Sequence, residues 1–417
     1  RRGMTARRYI ARLFACLGIV FAALAAADED EPIELWHTFS ADSIEERLLT
    51  DAVDAFREAH PEIAVQVTRI PYLQNLPQFI NSSQGGEAPD VIRVSDTEVG
   101  KIGHISVEGL PLLEDLRPHL TPMQRSRLES RAVRAMRYDQ ALYAIPVSQG
   151  CLALVYNKAL FDAANLDYPN DRWTTDDMIQ AAKVLSRDGV MGVALPLKWS
   201  YWFIPFQTGF GGRPFDDDGN PTLDSPGTAE AMDWFLDLER EHGIVASSVS
   251  LEAMSTQFQL GKAAMVLDGP WNWNSYSGAG LDLGVTIMPV VSETGQRLGP
   301  MSSYFGWAVS KQSARKPEAV KLAYWLTSYE VQKAFAVETF MVPVDVSLAD
   351  DPEVAGNATL AAYLEQVKYG TEVPTLRATS MIFEQLDTAL ELTYSGQMDA
   401  ASALSEADRE LEKRLAE

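Results

Sequence analysis

The residues best suited to specific chemistry in this chain are its tryptophans and their neighbours. Trp199, Tyr201, Trp202, Phe203 and Phe206 crowd one short stretch with Pro205 and run into Gly209, Gly211 and Gly212. Trp271 and Trp273 flank Asn272 just after Gly269-Pro270, and Trp307 stands near Tyr304 and Phe305 beside Gly306. A large ring normally joins a core, because exposing it to water is costly. Rings set among Gly, Pro and Asn are poorly placed for a regular core face and suit stacking against the C–H faces of sugar rings. Nearby Asp, Glu, Asn and Gln can hold hydroxyls, which gives a mostly apolar pocket with a few placed polar groups.

Bond-making chemistry finds no comparable pattern. The five histidines, His37, His60, His104, His119 and His242, are scattered without metal-ligand spacing, so no metal site is expected. A Gly-x-Ser-x-Gly elbow and a phosphate loop are both missing. Gly278-Ala279-Gly280 with Gly284 precedes a strand-like run instead of following one, the wrong order for a dinucleotide fingerprint. Cys151 lies in an apolar run and reads as a small core thiol. No catalytic residue and no cofactor are expected, and the protein reads as a binder, not an enzyme.

The elements that must carry these rings read as α/β. Residues 33–36 form a short strand-like run, and 43–59 form an amphipathic helix with Ile44, Leu48, Ala52 and Phe56 on one stripe, stopped by His60-Pro61. Ile63, Val65 and Val67 alternate as a strand, and Val91-Ile92 follows a Gly/Pro turn. Strand, helix and strand in succession predict βαβ units and a mainly parallel sheet. Residues 152–156 read as a buried strand, Thr174-x-x-Asp177 opens a capped helix, and 228–242, the stretch from Pro317 and the last 30 residues read as helices. Asp216-Asp217-Asp218-Gly219-Asn220-Pro221 reads as a plain turn, because Pro221 replaces the glycine a calcium loop requires. No linker marks a simple boundary between domains, so a second lobe would be entered and left more than once.

Charge and the N-terminus speak to compartment and partners. The 417 residues hold 35 Lys+Arg against 58 Asp+Glu, a formal charge of −23. Such a chain repels nucleic acid, whose binding needs Lys and Arg to displace counterions. Residues 1–27 carry five arginines and no acid, with an apolar run from Leu13 that ends in small residues, and read as a cleaved secretory signal peptide. Leu13-Phe14-Ala15-Cys16 has the look of a lipoprotein box, but most of the apolar run follows Cys16, and Arg7-Arg8 matches a twin-arginine leader only loosely. Cleavage near Ala27 would leave a periplasmic protein of charge −28, with 30 basic and 58 acidic residues.

An ordered set of short motifs resembles the extracellular solute-binding proteins of the maltose/maltodextrin-binding type, the capturing components of ABC importers. They are Ile-Glu-Leu-Trp-His-Thr-Phe from Ile33, Ala88-Pro89-Asp90-Val91-Ile92, Tyr143-Ala144-Ile145-Pro146 and Leu154-Val155-Tyr156-Asn157-Lys158. Gly209-Phe210-Gly211-Gly212, Gly261-Lys262-Ala263-Ala264-Met265 leading to Gly269-Pro270-Trp271, and Gly306-Trp307-Ala308-Val309-Ser310 continue the series. The resemblance implies a two-lobed periplasmic binding protein fold with a hinge and an interlobe ligand cleft. One lobe would hold 28–148 plus 290–326 and the other 149–289 plus 327–417. It also implies a monomer that hands an oligosaccharide to membrane permease subunits.

Carried over by position, Tyr201 and Trp271 match the family's stacking rings, and Phe383 takes the place of a third stacking tryptophan. Gly150 stands where maltose binders have a hydroxyl-binding glutamate, with Ser148 and Gln149 adjacent. Val94, Thr97 and Glu98 replace a Trp and an Asp-Arg pair. These departures separate the chain from maltose binders proper and leave an oligosaccharide as the implied ligand. His37, Ser40, Asp96 and Gln149 are the hydroxyl contacts expected from loop position, joined by Glu98 and by the rings of Trp199, Trp202, Trp273, Tyr304 and Trp307. Two alternatives stand beside this reading: a phosphate ester such as glycerol phosphate held by Arg93 or Arg377, and a secreted glycosidase using two carboxylates.

Overall fold

A computed structural model describes residues 31–216, 220–247, 249–372 and 377–416. The leader assigned to 1–27 and the centre of the 216–221 turn lie outside these residues. The chain opens as two βα steps, β1 (Ile33–His37), α1 (Ile44–Ala59), β2 (Val65–Arg69) and α2 (Tyr72–Gly85), and then enters β3 (Val91–Ser95) and α3 (Asp96–Gly103). Ser43 starts α1 by accepting the Glu46 amide at 3.1 Å, and the stripe Leu48, Ala52 and Phe56 is buried beneath it, as the helical period predicts.

After β4 (Ala144–Gly150) only Cys151 and Leu152 separate the chain from β5 (Ala153–Asn157), which belongs to a different sheet. There follow α4 (Thr175–Leu185), β6 (Met191–Ala194), α5 (Ser200–Gly209), α6 (Pro226–Arg240), β7 (Ala263–Asp268), α7 (Trp273–Gly278) and β8 (Leu283–Thr286). The chain returns through β9 (Ser303–Val309), α8 (Lys316–Trp325), α9 (Tyr329–Thr339) and β10 (Val342–Pro343), and ends in α10 (Arg377–Tyr394) and α11 (Ala400–Ala416).

The first sheet has the order β10-β4-β9-β3-β1-β2 and the second β6-β7-β5-β8. Strands β2, β1 and β3 are mutually parallel, whereas β9 runs antiparallel to both β3 and β4. In the second sheet β5 runs antiparallel to both of its neighbours. Both sheets are therefore mixed, which departs from the mainly parallel sheet expected. In the first sheet the strands that run against the others are β9 and β10, which enter only after the chain has returned from the second sheet, so no local βαβ unit sets their direction.

Each sheet carries its own hydrophobic core. Phe56, Phe79, Trp307, Phe335 and Val344 belong to the first. Phe203, Phe235, Phe258, Val291, Leu298 and Leu404 belong to the second. Among the described residues no helix is long and apolar enough to cross a membrane.

Candidate functional site

The carboxyl ends of β1, β2 and β3 and the amino end of β9 converge on one edge of the first sheet. Pairing sets Phe305 opposite Ser95, Tyr304 opposite Gln149 and Ser303 opposite Gly150. Ser95 closes β3 and caps α3 reciprocally: its Oγ accepts the Glu98 amide at 3.3 Å, and Glu98 Oε2 accepts the Ser95 amide at 2.7 Å. That box fixes Asp96 at the first helical position, 4% exposed. Its carboxylate accepts the Thr97 amide at 2.9 Å and the backbone amide of Tyr304.

The second sheet supplies the facing wall. Helix α5 has no side-chain cap of its own. Its Ser200 amide donates to Asp387 Oδ1 at 2.7 Å, and Ser200 Oγ donates to the Phe383 carbonyl at 3.4 Å, so α5 begins against α10. Trp202 Nε1 donates to the Leu267 carbonyl at 2.8 Å, which ties α5 to the end of β7. The intervening Tyr201 turns towards the first sheet, its hydroxyl hydrogen-bonded to Ser303 and close to Asp96, and burial pushes the phenol up.

The ring of Trp271 lies 6.3 Å from that of Tyr201. It packs directly against backbone: a Cβ on Gly269 would sit 2.1 Å from the indole, and one on Gly150 3.4 Å away. Only glycine at 269 permits that approach. Beneath it, Asp268 is fully buried and accepts the Gly269 amide at 2.8 Å, Asn272 Nδ2 at 2.9 Å, the Tyr276 hydroxyl and the Trp271 side chain. Four donors on one carboxylate hold the loop and its indole in place.

Of the residues expected from sequence, Asp96, Tyr201 and Trp271 come together at this cleft, whereas Tyr304 is 3% exposed in the first core and Gln149 is its cross-strand partner, one position from the Gly150 that faces Trp271. Phe383 joins its second wall, and Trp199, 37% exposed, stands at the start of α5. Ser40 lies exposed on the loop after β1. Several others are placed elsewhere. Trp202 and Trp273 are buried in the second core and Trp307, 2% exposed, in the first. The stretch around Trp202 is a helix, not the loop its Gly/Pro context predicts. His37 is buried, with Nδ1 accepting the Phe39 amide at 3.3 Å and burial lowering its pKa to about 4. The Glu98 carboxylate is committed to its cap. Ser303 and Asp268 were missed; an acid closing the apolar run Ala-Ala-Met-Val-Leu-Asp was the available signal for the second.

Arg93 bears on the anion alternative. It is 5% exposed, its guanidinium lies 4.4 Å from the Phe39 ring centroid and 4.1 Å from that of Phe305, and Nη1 donates to Thr38 Oγ1 at 2.7 Å. A cation so enclosed by two ring faces does not present itself to a phosphate. The side chain of Arg377 lies outside the described residues. Among the described residues no group of His, Cys, Asp and Glu is arranged to hold a metal.

Burial raises the carboxyl pKa of Asp96 to about 7 and of Asp268 to about 6. A folded-state pKa above the unfolded value means that each contributes stability while protonated and loses it as pH rises through the folded pKa. The unliganded protein is therefore expected to melt at a higher temperature near pH 5 than near pH 8. Asp351, held at about 2 by Tyr329 and Lys333, acts in the opposite sense only below about pH 4, and His37, lowered to about 4, does so below about pH 6.5, by less over this range than the two carboxyls together. Calorimetric melting across this range checks the sign; a melting temperature that climbs from pH 5 to 8 contradicts it.

Two lobes joined by short crossings, with rings from one facing polar groups from the other, define a cleft-binding protein. The chain matches the family of bacterial extracellular solute-binding proteins over residues 41–333, and it belongs to that family, whose members bind solutes and are not enzymes. It is 26% identical over 370 residues to the galactooligosaccharide-binding protein of Bacillus subtilis, covering 86% of this chain and 84% of that one. It is 23% identical over 349 residues to the maltotriose-binding protein of Pyrococcus abyssi, covering 82% and 73%. Among solved structures, the maltose/maltodextrin-binding domain MalE of Bdellovibrio bacteriovorus, bound to maltotriose, superposes with a TM-score of 0.84 at 23% identity over 93% of this chain and 100% of that one. The GacH receptor of Streptomyces glaucescens gives 0.81 at 26% identity, over 91% and 98%.

Proposed function

We propose that this protein captures a neutral oligosaccharide in the cleft between its lobes and delivers it to the permease of an ABC importer. The observation that carries the reading is the facing of Tyr201 and Trp271, from one lobe, with Asp96, Ser303 and the Gly150 backbone from the other. Stacked rings take the C–H faces of sugars, and carboxylate, amide and hydroxyl groups take the hydroxyls. The oligosaccharide binders among its relatives support the ligand class.

Ligand contacts both walls only when the lobes close, so it shifts the population towards a closed form that a permease can select. The hinge is the two-residue passage at Cys151-Leu152 with the later crossings before β9 and after β10. The lobes are 31–150 plus 303–344, and 151–302 plus 345–416. Val291 and Leu298 in the second core support the boundary at 302, and the pairing of β10 in the first sheet with Phe335, Met341 and Val344 in the first core supports the one at 344, although Ala336 and Val342 of that stretch also reach the second core; both differ from the boundaries expected at 290 and 326. The protein acts as a periplasmic monomer after loss of residues 1–27.

Ligand that binds only the folded state raises the melting temperature. A thermal-shift panel of α-glucan, galactan and arabinan oligosaccharides, monosaccharides and glycerol 3-phosphate should show a rise for at least one oligosaccharide and none for the phosphate. A rise confined to the phosphate ester would replace this reading. Asp96 accepts a sugar hydroxyl more strongly when ionised. Affinity is accordingly expected to improve by about three- to tenfold between pH 6 and 8, and an Asp96→Asn variant should be flat over that range. A wild-type affinity independent of pH would remove Asp96 from the contact.

A further inference from the structure

We propose that the cleft continues along α2 as an apolar groove that takes the outer rings of an oligosaccharide longer than three sugars. The inference rests on the oligosaccharide reading above and extends it to ligand length. Helix α2 has two apolar faces. Phe79 turns inward with Asn75 and Ser83 and is fully buried. Tyr72, Leu73, Leu76, Pro77 and Ile80 turn outward and line an open groove with Lys101 at its rim. Leu73 is 74% and Tyr72 47% exposed. Leu76 and Ile80 also rest against the first core, but Tyr72, Leu73 and Pro77 are exposed beyond what joining that core requires, and contiguous exposed apolar surface marks a binding face.

Two observations connect this groove with the cleft. At its inner end Glu98 lines the groove beside Tyr72, and its Oε2 accepts the amide of Ser95, the residue before Asp96, at 2.7 Å. The half-exposed Tyr72 ring thus stands next to the central site with its face open. At the other end Lys101 Nζ lies 3.9 Å from Glu384 Oε1 on α10, so the second lobe reaches the rim of the groove. A half-exposed ring and an aliphatic wall, edged by an ammonium and carboxylates, match the alternating C–H faces and hydroxyls of a saccharide chain leaving the cleft. A purely apolar partner would leave that polar edge unused.

The test is calorimetric titration of the full chain with tri- and pentasaccharides of α-1,4-glucan and β-1,4-galactan. For the series that binds, the pentasaccharide should bind about tenfold more tightly than the trisaccharide, as two further buried sugar faces would give. A Leu73→Ser/Ile80→Ser double variant, checked for an unchanged melting temperature, should bring the pentasaccharide to within about twofold of the trisaccharide and leave the trisaccharide unaltered. A single Leu73→Ser variant, at the most exposed position, gives the same direction with less demand on folding. Equal wild-type affinity for both lengths overturns the proposal, as does a variant that weakens both equally. Unchanged sugar affinity with reduced stimulation of the cognate transporter would make the groove a docking face for the membrane subunits and also overturn it. If no oligosaccharide of any series binds, the oligosaccharide reading itself fails, a result distinct from binding without a length preference.

Discussion

Trp271→Ala is expected to raise the dissociation constant for the cognate oligosaccharide by at least about 100-fold, because a central, well-packed aromatic anchor commonly supplies several kcal/mol of binding. The indole is half-buried before ligand arrives, held against Gly269 and Gly150 and facing Tyr201. Little ordering cost remains when a sugar stacks on it. The ring sits at the cleft wall and not in the centre of the second core, so its loss should leave the fold intact and the melting temperature of the unliganded protein within a few degrees. Calorimetric titration and melting of the same sample separate the two effects. A loss of less than about fivefold, far below what a central aromatic anchor supplies, would place the ligand elsewhere. Gly269→Ala should mimic the affinity loss, since the new methyl group occupies the plane of the ring.

Asp268→Asn should have the second large effect, and on stability as well as affinity. The carboxylate accepts from four donors in a fully buried setting. An amide offers one acceptor oxygen and turns an N–H₂ towards groups that are themselves donors. Leaving buried donors unpaired costs roughly 1–3 kcal/mol apiece, so a total of about 2–4 kcal/mol is expected after relaxation. Affinity should fall with it, because Trp271 and Asn272 lose their common anchor. With the Asp268 pKa raised to about 6 by burial, wild-type protein carries a protonated, amide-like carboxyl well below that pH. The affinity gap between wild type and variant should therefore narrow towards pH 5. A gap that is constant from pH 5 to 8 would mean that the ionised form is not what positions the loop.

Local signals in the sequence served well where one residue type decides the outcome. Thr174 begins α4 as its capping pattern predicts, and Asp177 Oδ2 accepts the Thr174 amide at 2.9 Å, while α1 follows the apolar stripe read from Ile44. The two-lobed architecture was legible through ordered motifs, with short crossings in place of a linker. The mixed pairing of the sheets was not, because strand direction is set by where the chain crosses between lobes, a long-range fact that no local window contains.

The site was half legible for a related reason. Ring type and loop-like composition singled out Trp202 and Tyr201 alike, yet adjacent positions on a helix point in different directions, so one is core and the other cleft. Pro205 made that helix hard to see, although within α5 it removes only the amide that would reach the Tyr201 carbonyl. Trp307 lies in a strand whose apolar face is covered by the helices of the first core. Ser303 acquires its place through pairing with Gly150 across residues distant in sequence.

The central claim is that rings from one lobe and polar groups from the other clasp an oligosaccharide. Isothermal titration of the purified chain with oligosaccharides of the α-glucan, galactan and arabinan series, run in parallel on wild type and Trp271→Ala, tests it most directly. At least one of these sugars is expected to bind the wild type one-to-one and exothermically, and that binding should collapse in the variant. Absence of heat with every oligosaccharide, or binding that survives loss of the Trp271 ring, would contradict it.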